Sequence, residues 1–147
     1  KKTMNYITLE FLSRSSNEAF ARTAVACFAA QMDPTLGELE DIKTAVSEAV
    51  TNAIVHGYPN VLGKVLVKAK ICEGNVLEVS VKDRGRGIPD VEKARQPMFT
   101  TGGEERSGMG FTIMESFMDH IAVKSVPGKG TTVTLRKKLA PRRRQTA

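Results

Sequence analysis

Ser47-Glu48-Ala49-Val50-Thr51-Asn52-Ala53-Ile54-Val55-His56-Gly57 is the stretch from which the rest of the chain is read. At about 100° per residue, Ile42, Ala45, Val46, Ala49, Val50 and Ala53 fall on one apolar stripe, which predicts an amphipathic helix with one face on a core. Glu48 and Asn52 stand one turn apart on the border of that stripe. A carboxylate and an amide so placed could accept a proton and ligate a cation. The same spacing is common on plain surface helices, so the pair needs support from elsewhere in the chain.

Working outward, Thr35-Leu36-Gly37-Glu38 matches a capping box that opens this helix after the break at Asp33-Pro34, and Gly57 and Pro59 close it. Upstream, Ile7, Leu9 and Phe11 alternate with polar residues over 6–12, a half-buried strand. Ser15-Ser16-Asn17-Glu18 reads as another capping box, opening a helix whose Phe20, Ala21, Ala24, Val25, Ala26, Cys27 and Phe28 recur at helical spacing until about residue 32. Downstream the period changes to two. Residues 64–71 and 76–83 form strands joined at Glu73-Gly74-Asn75, with lysines on the wetted face. Asp83 falls on the inward parity, where a carboxylate is costly unless it has a specific partner.

Arg84-Gly85-Arg86-Gly87-Ile88-Pro89 follows, with two glycines that let the backbone turn sharply or approach a ligand. A short helix over 91–95 leads to a stretch, 99–110, with four glycines, Gly102, Gly103, Gly108 and Gly110, that reads as a mobile loop. A helix over 109–119 carries a core stripe of Ile113, Met114, Phe117 and Met118. Strands over 121–126 and 131–139, joined at Pro127-Gly128-Lys129-Gly130, complete the order. The expectation is an α+β fold: a two-layer α/β sandwich with a mixed, mostly antiparallel sheet and helices on one face. Residues 1–140 read as one domain and 141–147 as a basic tail.

Composition narrows the function classes. With 147 residues, 41% hydrophobic and 26% charged, the chain is ordinary for a globular domain. No apolar run approaches the roughly 18 residues that span a bilayer, and no signal-peptide pattern is present, so no membrane association and a cytoplasmic location are expected. Cys27 and Cys72 lie singly within apolar patterns and read as buried free thiols. The net charge of +6 is local: residues 120–147 hold eight Lys/Arg and no acid, and no aromatics interleave Arg136-Lys137-Lys138 or Arg142-Arg143-Arg144. Direct nucleic-acid binding is therefore not expected.

Four features converge on a purine nucleotide. Gly108-Met109-Gly110 before a helix offers backbone N–H groups to phosphates. Asn52 can ligate Mg²⁺, Asp83 can accept from an exocyclic amine, and Gly87 lets a flat ring lie against the backbone. The boxes Glu48-x-x-x-Asn52, Asp83-x-Gly85-x-Gly87, Gly108-x-Gly110 and Gly130-Thr131-Thr132 stand in the order and spacing of the Bergerat-fold (GHKL) ATP-binding superfamily, which the chain resembles over about 40–135. More narrowly, the 47–57 stretch, Arg95-Gln96-Pro97-Met98-Phe99-Thr100-Thr101 and Arg106-Ser107-Gly108-Met109-Gly110-Phe111-Thr112-Ile113-Met114-Glu115 resemble the anti-sigma F factors of sporulating bacteria.

The resemblance implies a protein serine kinase that binds Mg-ATP, sequesters a sigma factor, phosphorylates an anti-anti-sigma protein and forms a homodimer. It assigns Glu48 as general base, Asn52 as Mg²⁺ ligand, and Asp83 as reader of the adenine amine with Thr132 in support. Gly85, Gly87, Thr100, Thr101, Arg106, Ser107, Gly108, Met109 and Gly110 complete the nucleotide contacts, with Arg106 near the γ-phosphate. The alternative is a nucleotide-gated protein-binding module in which phosphoryl transfer plays no part. His56 and His120 sit at element ends, and neither reads as a phosphoacceptor.

Overall fold

The computed structural model describes residues 2–96 and 109–141. Its elements are β1 (Thr3–Leu12), α1 (Asn17–Ala29), α2 (Leu36–Thr51), β2 (Lys64–Cys72), β3 (Val76–Asp83), α3 (Val91–Arg95), α4 (Phe111–Phe117), β4 (His120–Val126) and β5 (Gly130–Lys138). The strands order as β1-β2-β3-β5-β4, and every neighbouring pair is antiparallel, so the sheet is not mixed. Two tight hairpins impose this direction on β2/β3 and β4/β5. Gly74 (φ 82°) and Asn75 (φ 63°) make the first turn and Gly128 (φ 80°) the second, all in the left-handed region that short hairpins require.

Strand parity divides the sheet. Val65, Val67 and Ala69 of β2, Val79 and Val81 of β3, and Val133 and Leu135 of β5 are buried under the helices. Lys68, Lys70, Ser80, Lys82 and Thr134 take the opposite parity, across from one another on the far face. Two layers result, with the core between them. From α2 come Ile42, Ala45, Val46, Ala49 and Val50, and from α1 Ala21, Val25, Phe28 and Ala29, all inside one apolar cluster. The stripe read from the opening stretch is thus the helical half of the core.

The two expected capping boxes have different outcomes. At α2 both bonds form: Glu38 N donates to Thr35 Oγ1 at 3.0 Å, and Thr35 N donates to Glu38 Oε1 at 2.9 Å. At α1 the box between Ser15 and Glu18 does not form: Glu18 N donates to the Ser15 backbone carbonyl at 3.2 Å, and the residue at the cap is Ser16, in helical angles (φ −63°, ψ −20°) with no side-chain cap bond. Glu18 turns instead to Arg22, one helical turn on, at 2.9 Å. Cys27 is exposed, contrary to the sequence reading, because it lies off the Ala21–Val25–Phe28 stripe, whereas Cys72 is buried; both are free thiols. α2 does not stop at its α-helical end. Asn52–Gly57 continues as one wider π-turn, a distortion often found where a helix serves a site.

Candidate functional site

The π-turn brings the end of α2 over the C-terminal end of β3. Asn52, Ala53, His56 and Gly57 form one wall of a cavity; Val81 and Asp83 from β3 and Thr131 and Val133 from β5 form its floor. Gly87, Ile88, Met109 and Phe111 close the remaining sides. The enclosed volume is about 20 Å³, room for about one water.

Asp83 is the costly group in this floor. Its side chain is almost buried, with 6% of the residue exposed, and no described cation pairs with it. Gly85 N donates to Asp83 Oδ1 at 2.9 Å. Burial pushes the Asp83 carboxyl above its ordinary value, an effect partly offset by the backbone bonds from Gly85 and Thr131. A buried carboxylate with spare acceptor capacity facing a cavity calls for a donor from a ligand.

The surrounding glycines are set by contact. A Cβ on Gly57 would lie 2.8 Å from Asp83 Cγ, so the carboxylate rests directly on the Gly57 Cα. A Cβ on Gly85 would lie 1.9 Å from the Gly57 carbonyl oxygen. Gly87 (φ 76°) lines the cavity and leaves no room for a Cβ, which would meet the Val126 carbonyl oxygen at 2.3 Å. Gly85 itself is not a lining residue; it packs the turn behind Asp83.

Glu48 and Asn52, one turn apart on α2, meet Gly110 and Met109. The Asn52 side-chain N–H donates to the Met109 carbonyl oxygen. That bond fixes the orientation of the amide and leaves Oδ1 for a ligand. Glu48, half-buried on α2, sets its Oε1 against Gly110; a Cβ there would lie 2.0 Å away. Met109 (φ 66°) and Gly110 (φ 65°) form a left-handed corner seated on the pair. Burial first, and then the negative charge of Glu18, pushes the Glu48 carboxyl above its ordinary value.

Asn52, Asp83, Gly87 and Met109 therefore line one cavity, and Glu48 touches Gly110, the residue after Met109. Thr132 does not join them. Asp83 registers against Thr131 and Lys82 against Thr132, so it is Thr131, 8% exposed, that shares the cavity floor, and Thr132 points to the far face. Ser125 Oγ lies 2.7 Å from Thr131 Oγ1 and accepts from Ile88 N at 2.7 Å, tying the floor to the Gly87–Ile88 wall. Thr100, Thr101, Arg106, Ser107 and Gly108 lie outside the described residues.

His56 is a lining residue that the sequence reading missed. It is half-buried, and burial, with Arg86 nearby, lowers its pKa, favouring the neutral ring. Its spacing from Asn52 was the available signal. Among the described residues no three His, Cys, Asp or Glu side chains cluster as a metal site.

Residues 12–137 match the family described as histidine kinase-like ATPase domain. The chain is 60% identical over 134 residues to a protein named anti-sigma F factor from Thermoanaerobacter sp., covering 90% of this chain and 93% of that one. The chain belongs to the anti-sigma F factor family of histidine kinase-like ATPases. A further relative of that name, from Geobacillus kaustophilus, is 58% identical over 137 residues, covering 92% of this chain and 94% of its own. Among solved structures, the RsbU and RsbW domains of a Mycobacterium tuberculosis protein superpose with a TM-score of 0.68 at 21% identity, covering 92% of this chain and 32% of that one. The catalytic domain of the histidine kinase ThkA superposes at 0.55 and 17% identity, covering 92% and 97%. At such identities the likeness is one of fold, and it shows the α+β sandwich. No helix among the described residues is long and apolar enough to cross a membrane.

Proposed function

We propose that this chain is a Mg-ATP-dependent protein serine kinase and anti-sigma factor. The observation that carries the reading is the buried Asp83 carboxylate facing the same cavity as Asn52, with Glu48 one turn before Asn52 on α2. Asp83 accepts a hydrogen bond from the exocyclic amine of adenine, and Thr131 supports it. The Oδ1 of Asn52 holds the metal, since its nitrogen is engaged by Met109. Mg²⁺ held there would supply neutralisation of the charge that develops on the phosphates.

Glu48 acts on the substrate protein. Its carboxylate accepts the proton of a serine hydroxyl as that oxygen bonds to the γ-phosphorus, the bond from phosphorus to the β–γ bridging oxygen breaks, and ADP leaves. A base whose pKa is raised toward neutral pH takes that proton better than an ordinary Glu. The relatives' name, anti-sigma F factor, supports a sigma factor as the sequestered partner; the phosphorylated partner in this reading is an anti-anti-sigma protein. Homodimer formation and a cytoplasmic location go with the same reading.

The test is transfer of label from γ-labelled ATP to a serine of a candidate anti-anti-sigma protein. Glu48→Ala should retain nucleotide binding and lose transfer. Partner capture that needs ATP but is indifferent to Glu48→Ala, with no label on serine, would replace the kinase with a nucleotide-gated binding module.

A further inference from the structure

The adenine-reading carboxylate is held from behind by the chain around Tyr58, a residue outside the cavity wall. Three hydrogen bonds join the end of the π-turn to the turn after β3. Arg86 N donates to the Gly57 carbonyl at 3.0 Å, Arg86 Nε donates to the His56 carbonyl at 3.0 Å, and Arg84 N donates to the Tyr58 hydroxyl at 2.7 Å. That hydroxyl also donates to the Lys64 carbonyl at 2.7 Å, at the first residue of β2. One side-chain oxygen thus bridges the start of β2 and the residue immediately after Asp83.

The ring of Tyr58 is fixed independently of its hydroxyl. It packs where a Gly63 Cβ would be, 2.2 Å from Tyr58 Cε1. The chain next to Asp83 is therefore located twice: by Gly57 Cα under the carboxylate and by the Tyr58 hydroxyl on the following N–H. A carboxylate that discriminates an amine from a carbonyl has to keep its oxygens within hydrogen-bonding geometry, and such geometry is lost with small displacements.

We infer that Tyr58 is a positioning residue for base selectivity: its hydroxyl holds the Asp83–Gly85 turn so that Asp83 prefers a purine carrying an exocyclic amine over one carrying a carbonyl. The inference rests on the proposal that Asp83 reads adenine, and it assigns the selectivity to a residue outside the cavity wall. Inosine triphosphate is the probe that separates the two, because it keeps the phosphates and ribose and replaces the 6-amino group by a carbonyl.

The experiment measures the affinities of the full chain for ATP and for inosine triphosphate, with Mg²⁺, in the wild type and in Tyr58→Phe. A wild-type preference for ATP is expected; its absence overturns the reading of Asp83 itself. Given that preference, Tyr58→Phe should lower ATP affinity by roughly fivefold, the worth of one hydrogen bond, and leave inosine triphosphate affinity nearly unchanged. Equal losses for both nucleotides would make Tyr58 a merely structural residue and overturn the inference. Amide exchange at Arg84 supplies a second reading on the same variant: it should accelerate in Tyr58→Phe, and an unchanged rate would mean that the hydroxyl does not hold that N–H.

Discussion

Glu48 Oε1 occupies the space beside Gly110 so closely that a Cβ there would come within 2.0 Å of it. The proposed base and the corner after the glycine-rich stretch are therefore mutually exclusive with any side chain at position 110. Gly110→Ala should expel the carboxylate from this position and should also carry the left-handed strain of φ 65°, about 1–2 kcal/mol. Serine phosphorylation is expected to fall with the loss of Glu48 alignment. Thermal denaturation of Gly110→Ala and of Gly110→Ala/Glu48→Ala separates the two effects. The double variant should recover the part due to the clash and retain only the strain.

Replacing Glu48 by Gln keeps the volume and removes the base. Transfer to serine should drop by about 10²- to 10⁴-fold, the usual contribution of a positioned general base. Nucleotide affinity should stay close to wild type, because Glu48 is not among the residues lining the cavity floor. Single-turnover transfer and equilibrium ATP binding measured on the same preparation check both halves.

The helix that carries these groups was legible because its apolar stripe is continuous, and parity alone placed Asp83 inward. What parity gave correctly it also corrected: the same period of two that buries Asp83 puts Thr131, not Thr132, beside it. The π-turn over Asn52–Gly57 was not legible, since no breaker or composition change separates it from the α-helix before it. His56 was missed with it. The failed box between Ser15 and Glu18 has a comparable origin: the motif states which bonds are available, and Glu18 found a better partner in Arg22. Cys27 shows the limit of an apolar pattern around a small side chain, which does not say on which flank of the helix it falls.

Glu18 supplies a pH test. As a base, Glu48 works only when ionised, so transfer should rise with pH through its folded pKa, which burial and Glu18 hold above the ordinary 4.5. Glu18→Gln removes the like charge, lowers that pKa and shifts the ascending limb of the rate profile to lower pH. A plot of transfer rate against pH for the two proteins checks it. An unshifted limb would leave burial as the sole cause.

Asp83 sets function against stability. Its folded pKa lies above the ordinary 3.8, so between the two values the folded chain binds more protons than the unfolded one. Stability therefore falls as pH rises through that window, and the whole loss is present above it. Asp83→Asn keeps an oxygen to accept from Gly85 N and removes the buried charge. The variant should melt at a higher temperature than wild type at neutral pH, with the difference shrinking as the pH is lowered toward 4. It should bind ATP more weakly, because a neutral amide is a poorer acceptor for the adenine amine than a carboxylate. Melting curves across pH, read beside ATP titrations, bring the two effects together: a variant more stable and less able to bind is the expected signature of a group retained for its ligand.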